Sequence, residues 1–349
     1  MNSTNIVVNN GDADQISRIN FINMIISRYG IGIIWLMGNI GSVLTCIVFY
    51  QPTFRKSACS MYFTASSISQ LLAFNFALLY RMLQYGYNVQ TVTTDLWFCK
   101  IRYYLFYVLI ANSRYNIIMA SIDRYFASSR SALRRHWSSP KIALRVIVGN
   151  AIFWSLMYIQ IIIFYTIINN SCQAQLGAYG IFFSIYISID SGILPVSLMI
   201  IFGLLTANNV HRTGKTIAPT TQNLNNKSVR PGKISMKDVQ LHKMLVNQLL
   251  LFIFLNIPNP CYLVYRVFTM NNYKSSLQLS IETFVSNMTY VVLYLGFALT
   301  FANFFVSSKL FRREFLNVIQ KIKIFRRPMR LVLIEGTATT RNGLRSNSP

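Results

Sequence analysis

Long stretches without a charged side chain dominate this sequence of 349 residues and limit what it can fold into. Six stretches lack Asp, Glu, Lys and Arg altogether, and a helix that crosses a bilayer needs only about 20 mostly apolar residues. A soluble domain usually has about 25% charged residues, whereas this chain has 12%. The sequence therefore excludes a soluble enzyme and predicts a membrane protein. The uncharged stretches are residues 29–54, 57–80, 146–189, 191–210, 244–265 and 283–308.

These stretches divide into seven candidate membrane helices. Five of them have room for one span each, and the longest has room for one span, a loop and the start of another. One further apolar segment is interrupted by Arg114. We therefore predict an all-α membrane protein, a bundle of seven transmembrane helices. The expected spans, numbered one to seven, are about 29–50, 60–84, 98–126, 142–166, 179–206, 240–267 and 279–306.

Basic residues predict the orientation, because Lys and Arg accumulate in short cytoplasmic loops. Of the 33 basic residues, 25 lie in one alternate set of loops, so we expect the N-terminus outside the cell membrane and the C-terminus inside. Residues 1–28 are then an extracellular N-terminus, and residues 326–349 are a disordered cytoplasmic tail. The net charge of +24 faces anionic lipid headgroups, and we do not expect nucleic acid as a partner. The basic loops are 51–59, 124–145, 207–243 and 307–349.

Two of the five cysteines, Cys99 and Cys172, fall on the outer side of this topology. Disulfides persist on the oxidising side of a membrane, and the other three cysteines lie within spans or at their inner ends. We therefore predict a disulfide between Cys99 and Cys172. The alternative is a pair of reduced thiols.

The tripeptide Asp123-Arg124-Tyr125 lies at the inner end of span three, and Cys99 precedes Arg124 by 25 residues. Together with seven spans and an outer cysteine pair, this spacing resembles that of the rhodopsin-like, or class A, G-protein-coupled receptors. The resemblance covers about residues 28–325 and implies a short amphipathic eighth helix at residues 307–325. Other positions that match the family's motifs are Gly38, Asn39, Val43, Pro195, Phe252, Pro258 and the segment 311–315.

Several switch positions depart from the family's pattern. Gln70 stands in place of the acidic residue of span two, so the family's sodium pocket loses its only formal negative charge. Asn256 replaces the tryptophan of span six, and the motif of span seven, from Thr300 to Phe304, lacks its proline and its tyrosine. The chain therefore resembles a divergent member, such as those of the chemosensory or orphan sets that expand in some invertebrate lineages.

The resemblance implies that Arg124 carries the signal to a heterotrimeric G protein. The implied inner site also includes Asp123, Tyr125 and Asp238. Asp238 belongs to it because this residue stands at the foot of span six, where the family places the acid of its ionic lock. In this interpretation, span six swings outward and Arg124 turns to the G protein. The alternative is that Arg124 is one more basic residue on the cytoplasmic side.

Two isolated charges, Arg114 and Asp190, lie within apolar stretches near the middle of the membrane. Charges inside a membrane almost always pair or face a cavity. Asp190 lies on span five, which the family packs against span three, so we predict an ion pair between the two side chains. Alternatively, Arg114 meets amide and hydroxyl groups or water, while Asp190 faces the ligand pocket.

The resemblance also implies a pocket in the outer half of the bundle for a peptide or a small chemosensory molecule. Phe106 replaces the aspartate of amine receptors and Tyr294 replaces the lysine that binds retinal, so neither ligand is expected. Aromatic residues on helices alternatively form core. Three arginines near the outer rim either favour an acidic ligand or only extend toward the headgroups. These are Arg81, Arg102 and Arg266. The implied pocket residues are Phe106, Tyr107, Ile110, Tyr262, Leu263, Tyr290 and Tyr294.

Glycosylation motifs occur on the outer side at Asn2 and Asn169. The three histidines are scattered, without cysteine or carboxylate at metal-ligand spacing, so we predict no metal, no cofactor and no enzymatic activity. The rival interpretation is a seven-span transporter or channel. A transporter predicts helices broken near the midplane, but it gives no role to the inner arginine or to the outer cysteine pair.

Overall fold

The computed structural model describes residues 10–89, 95–129, 131–168, 171–175, 177–215, 236–269 and 272–321. Within them the chain is mostly helical, and seven helices are long and apolar enough to cross a membrane. The predicted seven-helix bundle is confirmed. Spans 1 to 7 are, in chain order, Gly11–Phe49, Ala58–Tyr87, Leu96–Ala127, Pro140–Phe164, Ala178–Asn209, Val239–Thr269 and Ser276–Ala298.

Several spans depart from a regular α-helix. Span 6 is built from two helices, Met236–Asn256, which begins just before the span, and Pro258–Thr269. The break between them lies at Pro258 because proline has no backbone N–H to donate. Span 4 consists of Pro140–Met157 and Gln160–Phe164. Single π-helical turns, which often mark functional sites, interrupt spans 1, 2 and 5. They lie at Ile26–Gly30, Phe74–Leu78 and Ile189–Ile193.

Shorter elements lie between and after the spans. The short helices are Pro52–Arg55, Ala132–His136 and Thr300–Ser307. Residues 309–321 are helical as well, within the segment where the eighth helix is expected. The location of that helix at the membrane surface stays a prediction.

The distribution of apolar side chains suits a protein surrounded by lipid rather than by water. Large apolar residues such as Leu36, Ile152 and Phe254 are exposed on the outside of the bundle. The interior near the end of span 1 holds interlocking rings, in which Phe49 contacts Phe63 at 5.3 Å and meets three more phenylalanines edge-on. Such edge-to-face pairs are favourable arrangements for buried aromatics. The rings that meet Phe49 edge-on are Phe54, Phe304 and Phe311.

Gly38 lets spans 1 and 2 approach each other closely. A Cβ at this position would collide with the ring of Phe74, and small residues are the usual means of close helix contact in membranes. Asn39, next to Gly38, accepts a hydrogen bond of 2.6 Å from Asn75 of span 2. Gly38 and Asn39, which match the family's motif in span 1, therefore form a packing contact between spans 1 and 2.

A two-stranded hairpin marks one end of the bundle, which we call the outer end. Its antiparallel strands are Tyr165–Ile168 and Ser171–Ala174, with Ile167 opposite Cys172. The predicted disulfide joins Cys172 to Cys99 at the start of span 3, with the two Cα atoms 5.9 Å apart. Tyr165 is the first residue of the hairpin, and burial raises the pKa of its phenol well above the ordinary value, so the hydroxyl stays neutral.

Span 1 is longer than the sequence indicated. Its helix begins at Asn10 rather than near residue 29, so most of the expected N-terminal segment is helical. This extension packs on span 7, where Asn287 donates hydrogen bonds of 2.7 Å to Asn23 and 2.8 Å to Ser27. The glycosylation candidates Asn2 and Asn169, and the tail 326–349, lie outside the described residues.

The disulfide predicts a clear effect on folding. Because loop-closing disulfides typically contribute about 2–4 kcal/mol, we expect Cys99→Ala and Cys172→Ala each to reduce surface expression, and the double variant to be no worse than either. The exposed free Cys261 is the matched control, and Cys261→Ala should leave expression unchanged. Detection of two free thiols at positions 99 and 172 in the mature protein would contradict this prediction.

Candidate functional site

The first candidate site lies at the inner end of span 3, opposite the hairpin. Arg124 donates to the Asp123 carboxylate from Nη2 at 2.5 Å and from Nε at 3.1 Å, and both side chains are buried. The other carboxylate oxygen of Asp123 accepts a hydrogen bond of 2.6 Å from Ser138. The ring of Tyr125 packs on Phe202 of span 5 at 5.8 Å. The guanidinium of Arg124 is therefore engaged by the carboxylate of the preceding residue.

A small cavity lies beside Arg124, between spans 3, 5 and 6. Asp238 belongs to the helix that leads into span 6, but its side chain lies outside the described residues, so the ionic lock stays a prediction. The cavity is lined by Ser121, Arg124, Met199, Gly203, Thr206, His242, Leu245, Val246 and Leu249.

Amide side chains join the inner part of span 6 to the segment that follows span 7, and the sequence analysis missed them. Gln248 accepts a hydrogen bond of 2.7 Å from Asn303. Nearer the inner end, Gln240 Oε1 accepts hydrogen bonds of 2.8 Å from the Ser308 hydroxyl and 2.6 Å from the Leu310 backbone N–H. We call these three hydrogen bonds the amide clamp. Gln248 and Asn303 lie in long uncharged stretches, which was the available signal, because such groups bond between helices.

A neutral polar network occupies the position of the missing acid in span 2. Gln70 is buried and donates to the Ser113 hydroxyl of span 3 at 3.1 Å, and Ser113 lies 2.9 Å from the hydroxyl of Ser66. The neighbouring Asn112 of span 3 donates to Ser69 of span 2 at 2.8 Å and accepts a hydrogen bond of 2.7 Å from Asn150 of span 4. All of the side chains in this network are uncharged.

The remaining switch positions are Phe304, Asn256, Thr300 and Pro195. Phe304 belongs to the ring cluster around Phe49. Asn256 Oδ1 and Thr300 Oγ1 are buried without a hydrogen-bond partner among the described residues. Unsatisfied buried oxygens of this kind cost free energy. Pro195 is buried in span 5, just after its π-helical turn.

The structure brings Arg114 and Asp190 together in the middle of the bundle. Arg114 Nη1 lies 3.5 Å from Asp190 Oδ2 and 3.2 Å from the Asp190 carbonyl oxygen, and both side chains are buried. Tyr158 of span 4 donates to the same carboxylate oxygen at 2.5 Å. The guanidinium also lies 5.7 Å from the ring centre of Phe252 of span 6. The pair therefore touches spans 3, 4, 5 and 6, and the π-helical turn of span 5 carries the aspartate.

Most of the predicted pocket residues do come together in the outer half. Phe106 packs against Tyr107, Tyr290 and Tyr294 at ring distances of 4.7, 5.7 and 6.2 Å. Ile110 lies beneath them in a cavity that extends down to the central ion pair. Tyr262 and Leu263 line neither this cavity nor the one above it. Tyr262 instead donates to the Glu282 carbonyl at 3.0 Å.

Two of the three outer arginines are not at the rim. Arg81 and Arg102 are each only 6% exposed, so neither extends toward the headgroups. Arg266 is exposed and donates to Gln173 of the hairpin at 2.5 Å. Burial of Arg81 and Arg102 was not apparent from the sequence, because charge alone does not show which face of a helix turns inward.

The central ion pair predicts a non-additive pattern of stability. Asp190→Ala or Arg114→Met leaves one buried charge uncompensated, and we expect a loss of about 3–5 kcal/mol from either. The double variant should lose less than either single variant, because no buried charge remains. The measurement is the apparent Tm of the purified protein in detergent.

The exposed pair Arg18–Asp14 provides the control, and Arg18→Ala should change the Tm little. A double variant less stable than both single variants would show that the pair is not the source of the loss.

The comparisons with known proteins agree with this geometry. The family model described as 7 transmembrane receptor (rhodopsin family) matches residues 38–303, which is most of the chain. A comparison with curated proteins finds no match. The rival interpretation as a transporter or channel is not supported by the family match. Seven apolar helices, the outer disulfide and this match show that the chain is a multi-pass membrane protein and belongs to the rhodopsin family of seven-transmembrane receptors.

Proposed function

We propose that the protein binds an extracellular ligand, a peptide or a small chemosensory molecule, and transmits binding to a heterotrimeric G protein. The N-terminus and the disulfide hairpin face outward, and the basic loops face the cytoplasm. The observation that carries the proposal is the buried Asp123–Arg124 pair, which lies beside a cavity between spans 3, 5 and 6.

The described conformation fits a closed state. Arg124 is engaged by Asp123, and the amide clamp holds the inner part of span 6 to the two helices that follow span 7. Outward movement of span 6 breaks the clamp and widens the cavity beside Arg124. A hydrogen bond contributes about 0.5–1.5 kcal/mol, so three of them oppose opening by a few kcal/mol, which differential ligand binding can supply.

The central ion pair is suited to link the two halves of the bundle. Asp190 sits in the π-helical turn of span 5, and Arg114 contacts Phe252 in span 6. A ligand that displaces the outer ends of spans 5 and 6 therefore acts on the pair directly. Because a buried ion pair tolerates little separation, this displacement is passed on to span 3 and its inner arginine.

Helix 309–321 anchors the cytoplasmic end in this proposal. Phe315 packs against Phe301 and Phe305 of the preceding helix at 5.4 and 5.7 Å. Basic residues such as Arg312 and Arg313 suit contact with anionic lipid headgroups. The helix then holds the inner end of span 7 while span 6 moves.

Neutralisation of Asp123 tests the receptor function without a known ligand. Asp123→Asn removes the charge that holds Arg124, and we expect a several-fold rise in basal G-protein activation at matched surface expression. Adding Arg124→Ala should abolish that rise. The measurement is G-protein dissociation with a panel of Gα subunits. Exposed Arg134 provides the control, and Arg134→Ala in the Asp123→Asn background should retain the rise. Signalling that survives loss of Arg124 would contradict the proposal.

The amide clamp yields a second test in the same assay. Gln240→Ala removes an acceptor shared by Ser308 and Leu310, which costs the closed state about 1–3 kcal/mol. We expect basal activation to rise several-fold. Gln240→Glu keeps an acceptor oxygen and should stay near the wild-type level. Equal activity of the two variants would show that the hydrogen bonds do not restrain span 6.

A further inference from the structure

Two buried arginines line one narrow cavity in the outer half of the bundle. Arg81 comes from span 2 and Arg102 from span 3, and each is 6% exposed. Both side chains contribute to the same cavity. The rest of its lining is mostly aromatic and consists of Ala77, Tyr103, Phe106 and Tyr294.

Aromatic rings cover the faces of both guanidinium groups. The Cζ of Arg81 lies 3.8 Å from the ring centre of Tyr290, and the Cζ of Arg102 lies 4.5 Å from that of Tyr80. Cation–π contacts of this kind compensate a buried charge in part. They leave the in-plane N–H groups, which point along the edges of a guanidinium, for other partners.

Some of these N–H groups have a hydrogen-bond partner and others have none. Arg81 Nη1 donates to the Asn287 side-chain oxygen at 2.9 Å. Arg102 Nε and Nη1 are buried and have no hydrogen-bond partner among the described residues. Buried polar groups are nearly always hydrogen-bonded, so unpaired N–H groups on a buried cation point to a partner that the chain itself does not supply.

No carboxylate neutralises the two arginines. Among the described residues, no ion pair involves either of them, and the nearby acids have other partners. Asp190 pairs with Arg114, Glu282 pairs with Lys274 at 2.5 Å, and Asp95 caps the start of span 3. Two like charges therefore share a site of low dielectric, which is unfavourable without a bound anion.

We propose that this cavity, which we call the arginine site, binds the anionic group of the receptor's ligand. The inference rests on the proposed receptor function and specifies its ligand class. Guanidinium groups match carboxylate, sulfonate and phosphate oxygens in geometry and charge. The cavity as described has room for only about one water molecule, so the anionic group enters it by displacing the rings of Phe106 and Tyr294, against which the apolar or aromatic body of the ligand then packs.

The arginine site is tested by stability measurements that need no G protein. The purified full-length receptor is placed in nanodiscs of neutral phosphatidylcholine, and its apparent Tm is followed with benzoate, benzenesulfonate or phenyl phosphate. Benzamide and benzylamine are the uncharged and cationic counterparts, at equal ionic strength. We expect at least one of the three anions to raise the Tm saturably by several degrees, and neither counterpart to do so.

Variants then locate the effect. Arg102→Gln should raise the apparent Kd of the active anion at least tenfold, and Arg102→Lys, which keeps the charge, should weaken binding less. Arg266→Gln, at an exposed outer arginine, should leave binding unchanged. Without any anion, Arg102→Gln should be at least as stable as the wild type, because it relieves repulsion between buried charges, whereas loss of a structural arginine would lower the Tm.

The proposal is overturned if no anion stabilises the receptor more than benzamide does, or if the shift is equally large in Arg102→Gln. It is also overturned if the unliganded Arg102→Gln and Arg102→Lys variants both lose stability relative to Arg266→Gln. Any of these results leaves the Asp123→Asn signalling experiment intact, so failure of the arginine site and failure of the receptor function are distinguishable.

Discussion

A charged side chain inside a bundle of membrane helices costs free energy unless it is paired or meets a ligand, and this constraint governs each level of the structure. At the inner end, Arg124 is compensated by its neighbour Asp123. In the middle, Arg114 is compensated by Asp190 from another helix. In the outer half, Arg102 has ring contacts but no carboxylate partner among the residues that the structure describes. In the proposed mechanism, the Asp123–Arg124 pair opens by rotation of a side chain, the Arg114–Asp190 pair resists separation, and the arginine site binds an anion.

The amide clamp and the neutral network around Gln70 show how the bundle manages without the family's usual switch residues. Hydrogen bonds between amides are individually weak in membranes, so a closed state held by several of them can be released in steps. Asn256 and Thr300 add buried oxygens without partners in the described residues, and in the proposed mechanism their cost narrows the free-energy difference between the closed and open states. A small difference in ligand binding energy between the closed and open states therefore has a large effect on the populations of these two states.

The sequence predicted the parts of this structure that follow from charge and spacing. Uncharged stretches located the spans, and the outer position of Cys99 and Cys172 predicted their bond. The sequence could not predict the N-terminal extension of span 1, because residues 10–28 are polar in composition and become part of the bundle by packing, with Asn23 and Ser27 bonded to span 7. Nor could it predict that Arg81 turns inward, since rotation about a helix axis depends on contacts with other helices.

Span 3 connects the three levels, because it carries Arg102, Arg114 and Arg124 on one continuous helix, Leu96–Ala127. At a rise of about 1.5 Å per residue, these side chains are spaced about 18 and 15 Å apart along the axis. A rigid helix cannot move at one of these levels alone. If an anion draws Arg81 and Arg102 together, span 3 shifts relative to span 2, and the Asp190 contact of Arg114 carries span 5 with it. The inner arginine is then displaced without any contact between ligand and G-protein site, so the ion pair in the middle determines how much of the outer movement reaches Arg124.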